Sequence, residues 1–91
     1  MAPAVVYRVY LIVNAHGRRY FGLSEDVAHR VRQHNAGVSK WTSKHRPWQL
    51  RWTSRPLDLS AARKLENLLK HQKGGVGLPP LLAQHGTFVG S

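Results

Sequence analysis

The chain has no cysteine and only four acidic residues, against six histidines. Without cysteine there can be no thiolate nucleophile, disulfide or cysteine-ligated zinc, and the composition suits a reducing compartment, so a cytoplasmic protein is expected. The histidines show no HExxH and no other zinc spacing, and none is assigned to a metal. There is no GxSxG elbow for a serine hydrolase. The GVG that follows the second apolar-periodic segment would sit at the negative end of a helix dipole, which disfavours phosphate. Long apolar runs are missing too. The longest, Val5 to Val13, is broken by Arg8 and has no basic segment before it, so neither a signal peptide nor a membrane span is expected. No internal repeat, linker or low-complexity stretch is present.

What the chain does have is positive charge. Fourteen Lys and Arg give a formal net charge of +10 over 91 residues. With 42% hydrophobic residues in regular patterns the chain is expected to fold rather than form a basic tail. Its length suits one domain with one modest core, spanning 1–91 with a core at 5–75 and a tail at 76–91. A charge of this size points to a polyanionic partner, with nucleic acid ahead of a membrane surface, because no segment pairs a basic face with a long apolar one. A protein partner is not indicated.

Val5 to Val13 alternates, yet both faces are mostly apolar, as in a central strand. NAHG is turn chemistry and RRYFGL reads as the returning arm of a hairpin. If the loop holds three or five residues, Tyr10 falls directly opposite Tyr20 on one face. Ser24 can cap a helix with Glu25 and Asp26 in its first turn and Asn35 and Gly37 at its end. GVSKWTSKHRP reads as a loop or irregular turn and WQLRWT as a third strand closed by Pro56, with Trp48, Leu50 and Trp52 on one face. A second helix starts near Asp58 or Ser60, carries Ala61, Ala62, Leu65, Leu68 and Leu69, and stops at Gly74-Gly75. The tail holds Pro79 and Pro80 and little periodicity. The expected fold is therefore α/β, a small three-stranded antiparallel sheet flanked by helices.

Several residues fit a structural role incompletely. At about 100° per residue the first helix turns Val27, Ala28 and Val31 inward, with His34 roughly 65° and Arg30 roughly 105° from the stripe centre. These two are four apart and share a face; a snorkelling arginine and a half-buried histidine would also explain them. Glu25, Asp26 and Asp58 suit helix starts, leaving Glu66 as the only carboxylate in mid-helix. It could be a surface partner of Lys70 or Arg63. It could also hold Mg²⁺, if water and substrate phosphate complete the shell. Trp41, between Lys40 and Lys44, could stack on an unpaired base or pack its loop onto the domain.

Taken together, VYLIVN, YFG, RVRQH and ARKLENLLK, in this order and spacing, resemble the GIY-YIG nuclease domain from Val9 to about Gly75. Arg8, Val9 and Tyr10 stand for GIY, and Tyr20, Phe21 and Gly22 for YIG. The resemblance places the family's helix arginine on Arg30, a histidine one turn later on His34, and the metal-binding glutamate on Glu66. It implies hydrolysis of a phosphodiester with one divalent ion, Mg²⁺ or Mn²⁺. Tyr10 would be the general base, Arg30 the phosphate clamp, and Tyr20 a hydrogen-bonding or water-orienting group. An unperturbed phenol has a pKa of about 10, so a basic Tyr10 needs positive charge or a proton acceptor beside it, which Arg30, the metal and His34 could supply. Two departures stand out: Arg8 replaces the first glycine, and no asparagine follows Glu66 at the spacing of several members, Asn67 being too close.

SKWT, PW and KHQKGG further resemble a compact subgroup that cuts single-stranded DNA. On this reading Lys40, Trp41, Lys44, Arg46, Lys70 and Lys73 contact nucleic acid. Target choice would lie within the domain or with a partner. The competing expectations are a non-catalytic nucleic-acid-binding module on the same fold and an RNA-associated accessory protein.

Overall fold

Strand β1 (Arg8–Asn14) has a buried row on each face, Val9 and Leu11 on one and Tyr10 and Ile12 on the other. Two buried rows require cover on both faces of the sheet. In the computed structural model, which describes residues 5–72 and 76–90, helices supply cover on both faces. Beneath Val9 and Leu11 lie helices α3 (Leu59–Lys70) and α4 (Leu78–His85), which contribute Leu65, Leu69, Leu78 and Leu82 to a core that also holds Phe21 and Trp52. Over Tyr10 and Ile12 lies a smaller cluster with Val27 and Trp48, roofed by helix α1 (Val27–Asn35). The architecture is α/β in three layers.

The sheet has four strands, not three. Its order is β2 (Arg19–Ser24), β1, β3 (Trp48–Ser54) and β4 (Gly86–Phe88), with every pairing antiparallel. The added strand and α4 come from the segment expected to be an unpatterned tail. Pro79 and Pro80 sit in the first turn of α4, where a missing N–H leaves no helical bond unmade. The helix is then tied down by burial of Leu78 and Leu82 and by the Trp52 indole, which donates to the Leu82 carbonyl at 2.8 Å.

Three local expectations are also corrected. Asp26, not Ser24, caps α1, accepting from the His29 N–H at 3.1 Å. Ser24 instead accepts from the Asp26 N–H just outside the helix. The segment around Trp41 contains one helical turn, α2 (Lys40–Ser43), rather than only loop. Trp48 and Trp52 are both buried, but they point to opposite faces. The β1–β3 register shifts between Leu11 and Ile12, so that Leu11 faces Trp52 while Ile12 faces Leu50. The extra residue at this bulge, Arg51, inverts the alternation of the strand.

The second helix expected from sequence, α3, begins where Asp58 accepts from the Ala61 N–H at 2.8 Å. Ala62, Leu65 and Leu69 are buried, whereas Leu68 is exposed. The helix ends at Lys70, and the Gly74-Gly75 pair expected to stop it lies outside the described residues.

Candidate active site

Each strand of the hairpin delivers one tyrosine to the face covered by α1. The strands close through Asn14, whose N–H donates to the Arg18 carbonyl at 3.1 Å, so the loop holds Ala15, His16 and Gly17, and Gly17 takes a φ of 79°. A three-residue loop keeps Tyr10 and Tyr20 on the same face, as expected, but the turn is centred one residue later than direct opposition requires. Tyr10 faces Gly22, and Tyr20 faces Ile12. The two phenols are diagonal neighbours, with ring centroids 6.5 Å apart.

The offset gives Gly22 a physical role. The Tyr10 ring lies across it, and a Cβ built there would overlap the phenolic oxygen and stand 2.6 Å from Cζ. Only glycine leaves room for the ring at this height above β2.

His34 is completely buried, at the centre of α1's inner face rather than at its border, while Ala28 is exposed. Its Nε2 is 2.7 Å from the Tyr10 hydroxyl and its Nδ1 is 2.8 Å from Thr42 Oγ1. The Thr42 hydroxyl can donate to the Ser39 carbonyl at 3.4 Å. Thr42 then accepts from Nδ1–H, which leaves Nε2 to accept from the phenol. Thr42 is itself fully buried, and its carbonyl receives the Trp48 indole N–H at 2.8 Å. A chain of hydrogen bonds thus runs from α2 through His34 to the Tyr10 oxygen, with no buried polar side-chain atom unpartnered among the described residues.

The electrostatics of this pair favour neutral forms. Burial, with the neighbouring Tyr20 phenol, pushes the Tyr10 pKa up to about 12; the charge and hydrogen bonding of Arg30 pull the other way, and the Glu66 carboxylate adds to the rise. Burial, then the Arg30 guanidinium, lowers His34 below the usual histidine value. These causes place Arg30 and Glu66 within electrostatic reach of one phenolic oxygen, although they come from helices on opposite faces of the sheet. Arg30 also donates to Gln33 Oε1 at 3.1 Å.

Glu66 is partly exposed and paired with Lys70 at 3.5 Å, one turn on, which is the surface partnership foreseen for it. Among the described residues no three His, Asp or Glu side chains gather as a metal cage. A single accessible carboxylate fits a hard divalent ion that keeps water and substrate oxygens in its shell. Its partner Lys70 lines a cleft of about 240 Å³ together with Arg19, Tyr20 and Gln72.

Trp41 closes the other side. It is 45% exposed, and its ring stacks on Tyr20 with centroids 6.1 Å apart and planes 26° apart. His45 and Trp48 lie 4.7 and 5.9 Å away. Packing on the domain and an open aromatic face therefore coexist, so the two alternatives weighed for Trp41 are compatible.

The sequence matches that of a known catalytic domain. The family model described as the GIY-YIG catalytic domain aligns with residues 6–76. The chain belongs to the GIY-YIG nuclease family. Comparison with curated proteins finds no match.

Within this GIY-YIG domain, Tyr10, Tyr20 and His34 pack together on the face covered by α1, and Arg30 and Glu66 lie within electrostatic reach of the Tyr10 hydroxyl. The expected nucleic-acid contacts are more scattered. Lys40 and Lys44 are exposed at either end of α2, beside Trp41. Arg46 donates through Nε to the Ser43 carbonyl at 3.0 Å and through a terminal nitrogen to the Asn35 carbonyl at 3.3 Å, tying α2 to the end of α1. Lys70 stands beside Glu66, and Lys73 lies outside the described residues.

Two functional positions escaped the sequence reading. Thr42 carried no signal beyond being a hydroxyl next to Trp41. Asn35, read only as a helix end, clamps β3 to α1 by accepting from the Trp48 N–H at 2.7 Å and donating to its carbonyl at 3.0 Å.

Proposed function

We propose that this GIY-YIG nuclease domain is a metal-dependent endonuclease that hydrolyses DNA, with single-stranded DNA as its preferred substrate and Tyr10 as its general base. The observation that carries the reading is the 2.7 Å hydrogen bond from the buried Tyr10 hydroxyl to His34 Nε2. A phenol with a pKa of about 12 does not ionise alone at neutral pH, and a proton acceptor in contact with it supplies the missing partner.

Glu66 is the residue that would hold Mg²⁺ or Mn²⁺, which when bound neutralises charge on the phosphate and its leaving oxygen. The remaining steps belong to the chain. Arg30 binds and orients the scissile phosphate by paired N–H donors. Tyr10 Oη takes a proton from the attacking water while passing its own proton to His34 Nε2. Thr42, accepting from Nδ1–H, holds the imidazole in the tautomer that can receive that proton. Tyr20, part of the open cleft and only half-buried, orients the water or the phosphate. Trp41 offers its open face to an unpaired base beside the lysines of α2. A base within a duplex is already stacked and cannot use that face, which is why a single strand is favoured. A cytoplasmic location belongs to the same proposal, and no helix among the described residues is long and apolar enough to cross a membrane.

The test is cleavage of labelled single- and double-stranded oligonucleotides in Mg²⁺ by wild type, Glu66→Gln, Tyr10→Phe and Tyr20→Phe. Glu66→Gln and Tyr10→Phe should abolish cleavage while retaining oligonucleotide binding. If Tyr10→Phe cleaves normally and Tyr20→Phe does not, the assignment of the base is wrong. If Glu66→Gln equals wild type, the activity is not this protein's, and a binding module remains.

A further inference from the structure

The half of the sheet that α3 and α4 leave uncovered carries a second groove. It has a volume of about 570 Å³ and is lined by Leu11 and Val13 of β1, Arg19 of β2, Arg51 of β3, and Phe88 and Val89 at the end of β4. This is the face opposite Tyr10 and His34, because Leu11 belongs to the α3/α4 core whereas Tyr10 belongs to the α1 cluster. Phe88 is 57% exposed although it is a large aromatic on a paired strand. Arg51 is the extra residue of the β3 bulge, which turns its side chain into this groove. Among the described residues no acidic side chain lines it; the four acids sit at Glu25, Asp26, Asp58 and Glu66, on or before helices α1 and α3.

Arg19 lines both this groove and the cleft that contains Tyr20 and Lys70. The two depressions therefore meet at the β2 arm of the hairpin. An exposed aromatic on the β4 edge, followed across the sheet by the guanidiniums of Arg51 on β3 and Arg19 on β2, combines the two elements a single strand needs: a face for a base and cations for the adjoining phosphates. A neutral peptide would leave both guanidiniums without counter-charge.

We propose that this groove is a second subsite for single-stranded nucleic acid, continuous through Arg19 with the cleft beside Tyr20 and Lys70, in which Phe88 stacks on a base and Arg51 and Arg19 hold the backbone. The segment from 86 to 90, with no counterpart in the motif residues, is thereby a substrate-binding element. The inference rests on the nucleic-acid reading above but not on catalysis.

The test is fluorescence anisotropy in chelator, so that no cleavage occurs, with oligothymidylates of about 5 and about 20 nucleotides, the shorter within the span of one subsite. Wild type should bind the longer strand more tightly. Phe88→Ala and Arg51→Gln should each weaken binding of the longer strand about fivefold or more and leave the shorter unchanged, and Phe88→Tyr should restore it. Arg51→Gln should also lower the salt slope on the longer strand by about 0.7. Equal losses on both lengths, or none on either, would overturn the proposal. So would a shift of the unliganded protein to a smaller sedimenting species in Phe88→Ala, which would mean that a second copy covers this face. Failure here leaves Glu66-dependent cleavage intact, whereas failure of the nuclease reading leaves these binding measurements valid.

Discussion

Replacing Gly22 by alanine introduces one methyl group at the point where β2 meets the Tyr10 phenol, the proposed base. That methyl would overlap the Tyr10 oxygen and lie 2.6 Å from Cζ and 2.9 Å from Cε1, against an ordinary contact of about 3.6 Å. The ring must rise by about 1 Å, and it cannot do so alone, because Tyr10 is only 1% exposed and its hydroxyl is held at 2.7 Å by His34. Overpacking of this kind costs about 1–3 kcal/mol, and losing the hydrogen bond adds about 0.5–1.5. Gly22→Ala should therefore unfold in urea with about 1.5–4.5 kcal/mol less stability. A displacement of about 1 Å at a reacting group also lowers turnover about a hundredfold, so cleavage of a single strand should fall by at least that factor even where the protein is folded. Gly17→Ala is the control. Its Cβ meets nothing within 4 Å, but its φ of 79° strains an alanine by about 1 kcal/mol, so stability should drop slightly while cleavage is retained. If Gly22→Ala matches wild type in both assays, Tyr10 does not lie over Gly22 and the site geometry is wrong.

Other consequences are equally open to measurement. His34 titrates below its usual 6.5 because of burial and Arg30, so the unfolded chain binds more protons in acid. Stability should be full above about pH 6.5 and fall as pH drops through the lower folded-state value, and His34→Asn should flatten that fall in urea melts at successive pH. Tyr10 behaves oppositely: with a folded pKa of about 12 against 10.0, its neutral form contributes up to about 3 kcal/mol below pH 10 that is lost as pH rises through 12. Ultraviolet titration of the phenolate band, compared with Tyr10→Phe, should show one tyrosine ionising late. Trp41→Ala should stay folded, since the ring is 45% exposed, and should weaken single-strand binding by about 1–3 kcal/mol with little effect on duplex. Leu82→Ala, within the core under β3, should cost about 2–5 kcal/mol by chemical denaturation, because α4 is anchored through this residue and the Trp52 indole.

Much of the site was legible before any coordinates because short-range patterns carry it. Alternation with two apolar faces marked β1 as a central strand. Odd loop parity put the two phenols on one face, and four-residue spacing put Arg30 beside His34. Those are properties of the chain's own periodicities and survive any packing. Register is different. Whether Tyr10 meets Tyr20 or Gly22 depends on where the turn is centred, and NAHG allows more than one centre. A bulge is similarly invisible: WQLRWT alternates well enough to place Trp48 and Trp52 together, and only the mismatch with β1 at Arg51 separates them.

By itself, then, the sequence determined the basic charge, the central strand and the two main helices, and its family resemblance singled out Arg30, His34 and Glu66 as partners for the two phenols. Tertiary structure decided that His34 is buried between Tyr10 and Thr42, that Glu66, on the opposite layer, lies within electrostatic reach of the same phenol, and that the segment after Val76 folds into α4 and β4. The physical reason is that each of these depends on contacts between distant segments. A proline pair reads as a break until Leu78 and Leu82 find a core to enter, and a threonine in a polar stretch means nothing until an imidazole is placed 2.8 Å from its hydroxyl.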